Sequence, residues 1–220
     1  MIEQIEIRNL LPCVFAGMED TDRIRSSQIW EEPSFVFRRG CRLCVHAESG
    51  NGKSSLLHFI YGSRKDYKGS ILFDGTDISA LSIAQWCEVR TKGIALLPQD
   101  MALFPELTVG QNIDLKNNMT HHKSSEQIKD LLARLGIDDK HDVAAGKLSI
   151  GQMQRVALVR AVCQPFDFIF LDEPVSHLDA RNNKIVADII TEEANSQGAG
   201  IISTSVGNHL MLDNAKFVSL

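Results

Sequence analysis

Seven consecutive residues, Ser49-Gly50-Asn51-Gly52-Lys53-Ser54-Ser55, have the types needed to hold a phosphate group. Glycine lets the backbone adopt unusual dihedrals and lets an anion approach closely. The N–H groups of Gly50, Asn51, Gly52, Lys53 and Ser54 can then turn inward around the anion. Lys53 can reach the outer phosphates of a nucleotide, and the Ser54 hydroxyl can bind Mg2+. The pattern's usual first glycine is Ala47 here, which is tolerable where φ is negative. Farther along, Phe168-Ile169-Phe170-Leu171 ends in Asp172-Glu173-Pro174. A carboxylate pair at the C-terminal end of a buried strand stands where open α/β sheets hold ligands. There Asp172 suits Mg2+ binding through water, and Glu173 suits taking the proton of an attacking water. Ser149, in Leu148-Ser149-Ile150-Gly151-Gln152, is placed to cap a helix whose first N–H groups can bind an anion.

These groups need strands and helices in a fixed order. Ile5 and Ile7 alternate with polar residues, and Phe35-Val36-Phe37 and Cys41-Arg42-Leu43-Cys44-Val45-His46 also read as strands. Residues 16–28 are polar and irregular and are expected to form a loop. Helical spacing at Leu56, Leu57, Ile60 and Tyr61 puts a helix directly after the glycine-rich segment. Gly69 to Gly75 reads as a strand closing in an Asp-Gly turn. Ile94-Ala95-Leu96-Leu97, Phe168–Leu171, 200–204 and 216–220 read as further strands. Between Asp100 and Leu148 the pattern is mostly helical, with an apolar stripe at Ile128, Leu131, Leu132 and Leu135 capped by Ser124 or Ser125. Further helices are expected from Ser149 and over 183–194. The expected architecture is α/β, with a mostly parallel sheet and a helical subdomain. We expect one unit over 1–220, with a core of about 1–98 and 164–220 and a helical subdomain of about 99–163.

Composition narrows the class. A net charge of −5 gives no bulk electrostatic case for nucleic acid. No apolar run approaches the roughly 20 residues that span a bilayer. The first residues lack a basic and an apolar segment, so no secretory signal is expected. Five scattered cysteines, Cys13, Cys41, Cys44, Cys87 and Cys163, suit reduced thiols in a cytoplasm. Cys41 and Cys44 have redox spacing but lie in an expected strand, so buried thiols are the favoured reading. Arg38 and Arg39 are expected to be exposed charge.

Taken in order, the segments resemble the ATP-binding subunit of an ABC transporter over nearly the whole chain. The resemblance implies a P-loop NTPase core with an N-terminal antiparallel β region that includes Gly69 to Gly75, ATP and Mg2+ as cofactors, and a head-to-tail pairing with a second ATP-binding subunit, identical or different. It also implies a transmembrane permease subunit as partner, a position on the cytoplasmic face of the membrane, and no nucleic acid. On this reading Ser49 to Ser55 hold the phosphates, while Ser149, Gly151 and Gln152 of the signature segment close over the other subunit's ATP. Gln99 contacts the metal and the attacking water, and Ser176-His177-Leu178-Asp179 is the D-loop. Ser54, Gln99 and Asp172 hold the metal, and Glu173 is the catalytic base, assisted by Gln99 and Ser205. Met101 to Leu107 either packs within the subdomain or forms a groove wall for the permease. Three departures accompany the resemblance. Ile150 replaces a glycine, and Ser205 replaces the family's histidine after the last core strand, with His209 as a distant substitute. The base-stacking aromatic is left to Phe15 or Trp30. The first two departures imply slow hydrolysis; the alternative is a nucleotide-dependent regulatory module with little hydrolysis.

Overall fold

The apolar runs pair side by side, because each buries both faces only inside a sheet covered by helices. A computed structural model describes residues 1–18 and 20–220. Its antiparallel sheet has the order β2 (Ser34–Arg38), β1 (Gln4–Pro12), β4 (Tyr67–Phe73) and β5 (Thr76–Asp77). The β4–β5 turn is made by Asp74 and Gly75, both at positive φ, as an Asp-Gly hairpin turn requires. The parallel sheet has the order β6 (Ile94–Leu97), β7 (Phe168–Leu171), β8 (Gly200–Ser205), β3 (Arg42–His46) and β9 (Lys216–Ser219). All four of its pairings are parallel, so the C-terminal ends of β3, β7 and β8 open on the same edge.

Between the two sheets lies α2 (Lys53–Ile60). Its Leu56, Leu57, Phe59 and Ile60 are fully buried in a core shared with Ile5, Phe37, Val45 and Phe170. Each such side chain contributes about 1.5–3 kcal/mol of burial, enough to fix where the helix starts. The opposite face of the parallel sheet is covered by α6 (Ile150–Val162) and α7 (Ala180–Gln197), and α4 (Val109–Thr120) and α5 (Ser125–Arg134) pack on α6 in the same core. Capping boxes at Thr108–Gln111, Ser124–Gln127 and Ser149–Gln152 satisfy the first N–H groups of three of them.

Several elements differ from expectation. The segment read as a loop contains the single-turn helix α1 (Asp22–Arg25); Glu19 in that segment lies outside the described residues. Ser124, not Ser125, caps α5. The last helix begins at Asp179, its cap, and runs past the apolar stripe to Gln197. A short helix, α3 (Ile83–Glu88), has no buried residue and therefore left no apolar period to read. Arg39 is not free surface charge: it pairs with Glu3 at 3.2 Å and Asp167 at 3.6 Å. All five cysteines are free, and burial raises the Cys41 thiol to about 11.

Candidate functional site

The loop from β3 to α2 rests on aromatic rings. Gly52 has φ 92°, and a β-carbon there would come 3.2 Å from Trp30 Cζ2 and 3.5 Å from Phe15 Cε2. Only glycine meets both the dihedral and the space. Trp30 Nε1 donates to the Asn51 carbonyl at 3.2 Å, so the buried indole supports the loop from beneath. Phe15 is also buried, although it lines the loop's cavity; Val14 beside it is the exposed side chain at that wall. Ala47 does not have positive φ, so its substitution for glycine carries no backbone strain.

Lys53 is buried, and its ammonium donates to the carbonyls of Ala47 at 2.9 Å and Glu48 at 3.0 Å. Its Nζ lies 3.9 Å from Glu173 Oε1. Burial holds its pKa below the usual lysine range, and Glu173 and Asp172 oppose that effect. A cation held by two loop carbonyls and one carboxylate is placed to exchange the carbonyls for phosphate oxygens.

Two neighbouring cavities lie along this edge. One, of about 200 Å³, is walled by Ser49, Gly50, Gly52, Lys53, Ser54 and Ser55 with Glu173. The other, of about 450 Å³, is walled by Ser54, His58, Pro98, Asp100 and Asp172. Ser54 and Gln99 line both and so form their junction. Asp172 is buried; its Oδ1 accepts from Thr204 Oγ1 at 2.6 Å, and its Oδ2 has no hydrogen-bond partner. A buried carboxylate oxygen without a donor is costly, and a hard cation removes that cost. Ser54, Gln99 and Asp172 offer a hydroxyl, an amide and a carboxylate, an all-oxygen set that fits Mg2+. No group of three or more His, Cys, Asp or Glu suited to a metal occurs among the described residues. A cation here would therefore depend on phosphate oxygens for the rest of its shell.

Successive residues on a strand point to opposite faces, so Asp172 and Glu173 would diverge if β7 simply continued. The strand alternation stops there instead: Glu173 is left-handed at φ 50°, with Asp172 on the wall of the larger cavity and Glu173 on that of the smaller. That conformation costs on the order of 1 kcal/mol for a residue with a β-carbon. Side chains not singled out in the sequence maintain it. Thr204 Oγ1 accepts the Glu173 N–H at 3.0 Å, and Gln154 Nε2 donates to the Glu173 carbonyl at 3.1 Å. The signal for Gln154 was available: a glutamine on the apolar side of α6, where Val156, Ala157 and Val159 are buried.

Ser205 lines a third cavity, of about 390 Å³, with Ala47, Glu48 and Asn51 of the loop. It is buried at the end of β8, its hydroxyl lies 3.5 Å from Cys44 Sγ, and it lines neither of the first two cavities. Thr204, one residue earlier on the opposite strand face, reaches the Asp172 carboxylate and the Glu173 N–H instead. His209 packs edge-on against Phe217, with ring centroids 5.1 Å apart, and lines neither of those two cavities either. Ser149 caps α6, its Oγ accepting Gln152 N–H at 3.3 Å. Ser149, Gly151 and Gln152 are not brought to the chain's own phosphate loop cavity. A β-carbon at Gly151 would come 3.3 Å from the His177 carbonyl, so the start of α6 lies against the 176–179 segment. Ile150 is half exposed on the first turn of α6.

The family model described as ABC transporter matches residues 30–176. The lipoprotein-releasing system ATP-binding protein LolD of Buchnera aphidicola is 33% identical over 162 residues, covering 72% of this chain and 71% of that protein. The ABC transporter ATP-binding protein YtrE of Bacillus subtilis is 30% identical over 173 residues, covering 77% and 75%. Among solved structures, one described as the dimeric structure of a bacterial ABC transporter cassette superposes with a TM-score of 0.76 at 18% identity, covering 98% of this chain and 94% of that one.

Proposed function

The chain belongs to the ABC transporter family, and from that premise we propose that it is an ATP-binding subunit that hydrolyses ATP at a head-to-tail interface and drives a membrane-spanning partner. The observation that carries this reading is the convergence of Lys53, Ser54, Gln99, Asp172 and Glu173 on two adjoining cavities at one sheet edge. In the proposed roles the loop of Ser49 to Ser55 binds the phosphates, with Lys53 on the outer two. Ser54, Gln99 and Asp172 hold Mg2+, which when bound would neutralise charge across the β- and γ-phosphates. Glu173 accepts the proton of the attacking water, with Gln99 orienting that water. Ser205 faces Cys44, so any help it gives Glu173 would pass through the backbone of β8.

A second copy, or a different ATP-binding subunit, completes the site in this reading. The support is that Ser149 presents a capped helix N-terminus to solvent while lying outside its own phosphate cavity. The permease is proposed to dock beside Gln99, where Phe104 is half exposed next to the packed Met101 and Leu103. No helix among the described residues is long and apolar enough to cross a membrane. We place the protein at the cytoplasmic face, held there by the permease, with no role for nucleic acid. The helical part of about 99–163 is proposed as a subdomain on a core of about 1–98 and 164–220. Glu173→Gln tests the assignment: ATP affinity should stay within a few-fold while most turnover is lost, and unchanged turnover would overturn it.

A further inference from the structure

The left-handed backbone of Glu173 has a structural consequence beyond its own carboxylate. Strained conformations persist where the surroundings over-determine them. On one side, Thr204 of β8 accepts the Glu173 N–H. On the other, Gln154 of α6 donates to the Glu173 carbonyl. Gln154 is 5% exposed and makes further contacts: its Nε2 lies 3.4 Å from Ser176 Oγ, and its Oε1 accepts the His177 N–H at 3.4 Å. One buried amide therefore joins three segments: α6, the backbone of Glu173 and the turn before α7. Gln154 also lies one helical turn after Ile150, on the helix whose first turn carries Ser149, Gly151 and Gln152. A buried, fully engaged amide is a stiff link, because any displacement leaves polar groups unpaired.

Resting on the base assignment above, the geometry points to Gln154 as a positioning residue that ties the helix presenting Ser149 to the aim of Glu173. Seating of α6 on a second copy's nucleotide then sets the carboxylate in this copy's own site. Closure at one site thereby reports to the other through a single side chain.

The test compares Gln154→Met, which keeps length and volume but removes the donor, in the unaltered protein and in Glu173→Gln. Steady-state hydrolysis and affinity for a fluorescent ATP analogue are measured in both backgrounds. In the unaltered background kcat should fall at least tenfold with nucleotide affinity within twofold. In the Glu173→Gln background, adding Gln154→Met should change the residual rate less than twofold, because the group it positions is already gone. An equal loss in both backgrounds, or a loss confined to nucleotide affinity, would overturn the inference and leave Gln154 as packing. Should the methionine variant fail to fold, Gln154→Glu keeps the shape and the acceptor for His177 while putting an oxygen against the Glu173 carbonyl; the same outcomes apply. Full turnover in Glu173→Gln alone would refute the base assignment, whereas additive losses would refute the link with that assignment intact.

Discussion

Lys53→Met should weaken ATP binding without weakening the fold. The lysine is buried, and its ammonium is held by two loop carbonyls and by Glu173 at 3.9 Å. Removing it loses two hydrogen bonds from a charged donor, together worth about 3–6 kcal/mol before desolvation is counted. Those carbonyls belong to partly exposed residues and can take water instead. Against this stands the cost of keeping a cation out of water, several kcal/mol in a buried setting. The lowered pKa points the same way: folding disfavours the charged form, with burial as the main cause. The sign follows from linkage. A lysine whose folded pKa lies below its unfolded value costs stability where both states are charged, and that cost fades as pH rises through the folded value. The two terms roughly cancel, so at pH 7 the melting temperature without nucleotide should match the parent's or exceed it. Any excess should shrink toward pH 10. ATP, in contrast, loses a charge-assisted contact of about 1.5–3 kcal/mol, a drop in affinity of roughly 10- to 150-fold. Scanning fluorimetry without nucleotide and calorimetric titration with ATP read the two quantities separately. A variant that melts well below the parent yet binds ATP normally would refute the reasoning and make Lys53 a structural residue.

Asp172→Asn should raise the Mg2+ concentration needed for half-maximal hydrolysis and leave metal-free nucleotide binding nearly intact; a titration of rate against Mg2+ reads this. Ser149→Ala removes the cap of α6 and should cost about 1 kcal/mol, or roughly 2–4 °C in melting temperature, while abolishing turnover with the monomer's ATP affinity unchanged. Burial lifts the thiols of Cys41 to about 11 and Cys163 to about 12, so neither is a nucleophile at pH 8. A thiol reagent at that pH should modify the exposed Cys13 and Cys87 first, as mass spectrometry can show. Because the unfolded chain releases those protons from about 9, stability should decline as pH climbs from there through the raised values.

Most of the site was legible because its residues sit at fixed distances from apolar runs. Phe168–Leu171 is buried throughout and delivers Asp172 to the sheet edge, and Leu56 and Leu57 fix the first turn of α2. What could not be read was side-chain direction. Ser205 and Thr204 are neighbours with opposite faces, and only the pairing of β8 with β3 and β7 decides which one meets Asp172. Trp30 looked available for a base until the loop proved to lie on top of it. The left-handed turn at Glu173 has no local sequence signal, since glutamate has no preference for it; the tertiary bonds of Gln154 and Thr204 impose it. Short α3 was missed for the plain reason that it buries nothing.

The central claim is that the triphosphate is enclosed only when the α6 helix of another subunit closes over it. The most direct measurement is a crystal structure of the Glu173→Gln protein trapped with ATP and Mg2+. The account predicts Ser149 Oγ within hydrogen-bonding distance of the γ-phosphate held by a second copy's Lys53. Two occupied phosphate loops with Ser149 still facing solvent would contradict it.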